Sequence, residues 1–169
     1  VKLTEALLNC TLGDPFLWYA DNQRLLVRMI PKDLPPLTEN GNRIPEGPII
    51  SVSGGKVSQN RTYQDLLKNR TDEENFETLV TSRLVTVTMA GETIPFLPEG
   101  AYSFLSFSPD GRLLLVNSIQ KPWSYVVPFD RFPQKSIVFD TTGKAVKVVN
   151  EVPLNEIIPK GFSAVREGK

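Results

Sequence analysis

Histidine is missing from all 169 residues. That absence removes the side chain most often used to move protons near neutral pH, so a reaction that needs an imidazole base is excluded from this chain. Cysteine is almost missing as well. Cys10 stands alone, which rules out an internal disulfide and a cysteine-based metal site. Its neighbours Leu7, Leu8 and Leu12 predict a small buried hydrophobe there. Neither sign of charge is in excess: 19 basic and 19 acidic residues cancel. A nucleic-acid binder usually carries a basic surplus, so nucleic acid is not an expected partner. The longest apolar runs fall far short of the ~20 residues of a membrane span, and no membrane association is expected. No basic-then-apolar leader opens the sequence. The chain begins at Val1 and ends in Arg166-Glu-Gly-Lys, which suggests a piece of a longer protein. There is no glycine-rich phosphate loop. Asp72-Glu73-Glu74 lacks the spacing of a calcium loop and reads as a solvated helix start. No cofactor or metal is expected.

What is present points to β-structure. Fourteen prolines and eleven glycines punctuate many short β-rich runs. Residues 16–20 and 24–30 read as strands around Asp21-Asn22-Gln23. A loop with prolines at 31, 35, 36, 45 and 48 follows, then a short strand at 49–52. The period then becomes helical. Thr62 and Asp65 have capping-box spacing, Thr71 and Glu74 repeat it, and Phe76, Leu79 and Val80 recur at helical steps. Two short helices, or one broken helix, are predicted over 62–80. Strands follow at 84–89 and 93–97.

The most telling stretch runs from Tyr102 to Phe139. Ser108-Pro109-Asp110-Gly111 holds the residues a tight turn demands, between strands at 102–107 and 112–116. An aromatic and proline-rich crossing, Lys121-Pro122-Trp123-Ser124-Tyr125-Val126-Val127-Pro128-Phe129-Asp130-Arg131-Phe132-Pro133, leads to strands at 135–140 and 145–149. Residues 18–27 and 107–116 are alike in kind, and each is followed by a strand–glycine–strand hairpin. The expected fold is therefore mostly β: a partial β-propeller of about two four-stranded antiparallel blades with a short helical insertion. Blade one spans about 14–98, with the loop and helical insertion at 31–80. Blade two spans about 101–150, and the tail 151–169 leads to the next blade. Native propellers use four to eight blades, so two leave open faces and edges that invite self-association.

The crossing resembles a propeller segment of glutamyl-endopeptidase-like members of the prolyl oligopeptidase family of serine peptidases. Arg61-Thr-Tyr-Gln-Asp-Leu-Leu-Lys68 with Asp72, Ile44-Pro-Glu-Gly-Pro48 and Val152-Pro-Leu-Asn-Glu-Ile-Ile-Pro159 match the same pattern in order. The resemblance implies a propeller that precedes and caps an α/β-hydrolase domain carrying serine, aspartate and histidine. It implies a secreted or periplasmic parent for bacterial members and chloroplast targeting for plant members. Partners would then be the remaining blades, the hydrolase domain and a peptide substrate. The fragment itself is expected to be non-catalytic. Gly161-Phe162-Ser163-Ala164-Val165 lacks the last glycine of a nucleophile elbow.

Three residues are candidates for substrate binding. Arg131, among aromatics, suits a bidentate bond to a substrate carboxylate, but stacking on an aromatic ring or pairing with Asp130 or Asp140 is the favoured reading. Trp123 and Tyr125 suit either a ligand groove or the core between blades. Asn9, Asn60 and Asn69 begin N-glycosylation triplets. The competing function is a stand-alone propeller-like module that binds protein partners.

Overall fold

A computed structural model describes residues 2–5, 7–39 and 63–157. Seven antiparallel strands follow one another in sheet order: β1 (Phe16–Trp18), β2 (Arg24–Met29), β3 (Ser82–Thr88), β4 (Thr93–Phe107), β5 (Leu113–Ile119), β6 (Gln134–Asp140) and β7 (Ala145–Val152). Among the described residues, one α-helix, α1 (Arg70–Val80), lies between β2 and β3. The fold is mostly β, a curled half-barrel consistent with part of a propeller.

The hairpin turns are built alike, and the sequence shows why. At Gly111 (φ 69°) the amide donates to the carbonyl of Ser108 at 2.8 Å, and Asp110 Oδ1 accepts the Arg112 amide at 3.1 Å. At Asn22 (φ 54°) the amide donates to Tyr19 at 3.1 Å, and Asp21 Oδ1 accepts the Gln23 amide at 2.9 Å. Asparagine and glycine are the residues that enter this left-handed region at least cost. The repeat seen between 18–27 and 107–116 is therefore a repeat of turn chemistry. The two turns also touch: a Cβ on Gly111 would lie 2.6 Å from that of Ala20.

Three departures from expectation stand out. First, strands expected at 93–97 and 102–107 are one 15-residue strand. Its first half pairs with β3 and its second half with β5. Pro95 and Pro98 suggest a break, yet among the described residues β4 has no other neighbour along that first half, and proline is tolerated on such an edge. Register shifts on β3 at Arg83/Leu84 and Leu84/Val85 skip Pro98 and Phe96, absorbing the misfit. Second, residues 63–69 form no helix. Thr62 lies outside the described residues, as do the strand expected at 49–52 and Ser163. Leu67 packs into the core under α1 rather than continuing it. The cap of α1 is Asn69, not Thr71: Asn69 Oδ1 accepts the Asp72 amide at 3.0 Å, and Asp72 Oδ2 accepts the Lys68 amide at 3.0 Å. Asp72 and Glu73 then sit in the first turn, where the helix dipole favours them. Third, Cys10 is exposed, and its neighbour Asn9 is the buried one. Asn9 donates to the carbonyls of Leu79 and Thr81 and accepts from Thr11, tying the N-terminal segment to the end of α1. An asparagine amide spent in this way, 5% exposed, is no acceptor for a glycan.

Three apolar clusters hold the fold. Tyr19, Leu26, Leu84, Tyr102, Leu105, Leu114 and Val116 link the strands from β2 to β5 across one face. Val27, Met29, Val85 and Val87 lie on the other face of β2 and β3, covered by Leu3 and Leu7. Val80, Ala101, Ile119, Val127 and Phe132 fix α1 and the crossing to the sheet. Strand β7 is exposed along its whole length, with Val146 and Val149 more than half exposed.

Tyr102 is buried at the first cluster, and its hydroxyl donates to the carbonyl of Pro98 at 2.8 Å. Burial pushes its phenol up to about 12. A group raised in this way stabilises the fold fully below its unfolded pKa, near 10, and the contribution is lost as pH rises through the folded value. Stability should fall between about pH 10 and 12, and Tyr102→Phe should flatten that fall at the loss of one hydrogen bond, about 1 kcal/mol. Thermal midpoints from pH 8 upward check it. Tyr19, also raised by burial, leaves a residual slope. An unchanged slope in Tyr102→Phe refutes the assignment.

Candidate functional site

The two most distinctive sequence segments, far apart along the chain, pack on each other. The crossing 120–133 lies against α1 and the run that leads into it. Phe76 of α1 meets Trp123 edge-on, with centroids 5.3 Å apart, and Phe132 at 5.7 Å; Trp123 and Phe132 lie 5.6 Å apart. Around this aromatic centre the polar contacts repeat the pairing. Lys121 Nζ lies 2.7 Å from Glu77 Oε1. The Tyr125 hydroxyl donates to Glu73, and that bond holds the phenol above its ordinary value. The Arg131 guanidinium stacks over the Tyr63 ring at 5.4 Å, and its Nη1 donates to the carbonyl of Ile157 at 3.3 Å. Ser124, buried, donates to Glu156 at 2.6 Å, so the tail 154–157 is drawn into the same assembly.

A cleft of about 620 Å³ opens beside this assembly. Its walls are α1 (Glu74, Glu77, Thr78), the middle of β4 (Glu99 to Ala101), the end of β5 with Lys121 and Trp123, and the segment Leu34–Thr38. Of the three candidate binding residues, Trp123 alone lines it. Its indole N–H is buried and finds no acceptor among the described residues. Tyr125 and Arg131 face other neighbours, Glu73 and Tyr63. Arg131 has no ion pair with Asp130 or Asp140 among the described residues; it stacks on Tyr63 and donates to the Ile157 carbonyl. Asp140 instead caps its own turn, accepting from Thr142 and Lys144. Lys121, at the start of the same crossing, is a wall of the cleft. Asn75 of α1 also lines the cleft and was not legible as a site residue: a helical asparagine carries no signal until its neighbours are known.

A second unusual group lies at the other end of the sheet. Arg28 on β2 is 4% exposed, and neither its Nε nor its Nη1 has a hydrogen-bond partner among the described residues. Gly13 approaches closely, so that a Cβ there would stand 3.3 Å from Nη1. Burial lowers the pKa of this guanidinium, and the field of Asp14 opposes that. No group of three or more acidic, cysteine or histidine side chains suited to a metal occurs among the described residues, and no helix there is long and apolar enough to cross a membrane.

The arrangement defines a β-sheet module with a clefted helical insertion and, in a chain without histidine, no imidazole base. Comparison with known proteins gives this module its setting. It is 38% identical over 171 aligned residues to a protein of Oryza sativa subsp. japonica named "Probable glutamyl endopeptidase, chloroplastic", an alignment covering 99% of this chain and 18% of that protein. It is 37% identical over 158 residues to the Arabidopsis thaliana protein of the same name, covering 92% of this chain and 16% of that one. The chain thus spans less than a fifth of the length of these curated relatives. No family model matches it, and no solved structure does.

Proposed function

We propose that this chain is a non-catalytic segment of the β-propeller of a prolyl-oligopeptidase-like serine peptidase, gating peptide access to a separate α/β-hydrolase domain. The observation that carries the reading is similarity along nearly the whole chain to one portion of much longer proteins named as peptidases, in a chain that has no histidine. Blades around a narrow channel exclude folded proteins and admit extended peptides to a covered site. The exposed strand β7 supports this setting: valines uncovered along its length suit contact with a further blade of the parent or, in the isolated chain, with a second copy. Arg131, Trp123 and Tyr125 then act at the blade face that carries the crossing. The plant relatives are named as chloroplastic, and a bacterial parent would be periplasmic or secreted.

The test is made on the intact parent, expressed with and without this segment. It is assayed on matched peptides with glutamate or alanine before the cut site, beside a large folded protein. Removal should admit the large substrate or scramble the preference for glutamate. A parent without hydrolase activity would overturn the reading in favour of a stand-alone protein-binding module.

A further inference from the structure

The segment Asp33-Leu34-Pro35-Pro36-Leu37-Thr38-Glu39 lies across the groove beside α1 as a bound peptide would. Proline fixes φ at two successive positions, and each residue before a proline is pushed to extended backbone. The run joins no strand or helix. Among the described residues, its side-chain hydrogen bonds come from one residue. Asn75 of α1 accepts the Thr38 amide through Oδ1 at 2.8 Å and donates from Nδ2 to the Thr38 carbonyl at 2.8 Å. A carboxamide offers one donor and one acceptor side by side, so it reads both backbone groups of a single residue without regard to its side chain. Any residue except proline meets that requirement.

The hold is shallow. Both hydrogen bonds are exposed, and Leu37 is 51% exposed. The groove is also larger than its occupant. The cleft of about 620 Å³ opens on one side of the segment and another of about 310 Å³ on the other, and both share Leu34, Pro35 and Thr78 as walls. The larger contains Trp123, whose buried indole N–H still lacks an acceptor among the described residues. An aromatic wall is how proline-rich segments are commonly received, because a preformed extended chain loses little entropy on docking.

From this we infer that the α1 groove is a binding site for extended, proline-containing peptides, and that Leu34–Thr38 is its resident intramolecular competitor. Asn75 clamps the backbone of the incoming peptide, and Trp123 lines the cleft it extends into. The inference stands apart from the peptidase reading, since it concerns this chain by itself.

The probe is a synthetic, end-blocked, fluorescein-labelled peptide with the sequence of residues 33–39, followed by anisotropy on the full 169-residue chain. Thr38→Pro removes the amide that the resident segment gives to Asn75 while leaving the groove intact. It should bind the probe roughly tenfold more tightly than wild type, because the competing state is depopulated. Adding Asn75→Ala to Thr38→Pro should abolish that binding, with circular dichroism unchanged in both variants. Equal binding by wild type and Thr38→Pro, no binding by Thr38→Pro, or binding that survives Asn75→Ala would each overturn the inference.

Discussion

Phe132→Ala should cost about 3–5 kcal/mol of stability, the range for deleting a fully buried aromatic ring. Phe132 is 2% exposed and meets both Phe76 and Trp123. Removing it loses the transfer free energy of the ring and leaves a void that neighbours on three different elements must collapse to fill. They are poorly placed to do so, since Trp123 and Phe76 hold one another and Phe76 also meets Phe129. The effect should not be spread evenly. The cluster around Phe132 is what fixes α1 to the sheet, so the helix should loosen first, and limited proteolysis should cut near it before the sheet is touched. Phe129→Ala is the comparison: that ring is 47% exposed, and its loss should stay below about 1 kcal/mol. Urea unfolding measures both. A Phe132→Ala variant within about 1 kcal/mol of wild type would show that the crossing does not anchor the helix.

The second expectation has the opposite sign. Arg28→Met should stabilise the isolated chain by about 1–4 kcal/mol, since exchanging buried charge for apolar volume is commonly neutral or favourable. Arginine stays protonated at every ordinary pH, so Arg28 cannot escape its burial by losing a proton. Methionine keeps a long flexible stem in the same space. In a chain of this size each kcal/mol is worth about 2–4 °C in midpoint temperature, so the shift is readily read. A drop in stability would mean that Asp14, whose field favours the charge, outweighs the desolvation. A gain raises the sharper question of why the charge is kept, and the intact parent is where its missing acceptor would be sought.

Much of the sheet was legible because turns and alternation are local. Asp21, Asp110 and Asp140 each cap a turn whose fourth residue is asparagine or glycine, and each is followed by a strand. Local rules failed where a distant partner decided the outcome. Pro98 reads as a stop, but register shifts on β3 carry the strand past it. Thr62 to Lys68 has the pattern of a capped helix, but Leu67 is used by the cluster beneath α1 and Asn69 takes the cap. Cys10 sits among leucines, yet the adjacent Asn9 turns inward to meet the carbonyls at the end of α1. For the candidate site, aromatic richness in the crossing was visible, and so was the helical period of α1. That the two pack together was not, because nothing in either segment names the other. Arg28 was hidden as well: β2 is buried on both faces from Leu26 to Met29, so no alternation marks the arginine among them.

Strand β4 carries a consequence for cooperativity. One uninterrupted backbone serves as the last strand of the first four and as the first strand of the second four, so neither group owns it. Dividing the chain between Gly100 and Ala101 would leave each part with half a strand and strip the shared cluster of Tyr102 and Leu105 from Leu26 and Leu84. The two groups therefore have no independent melting transitions to show. They stand or fall as a single calorimetric unit.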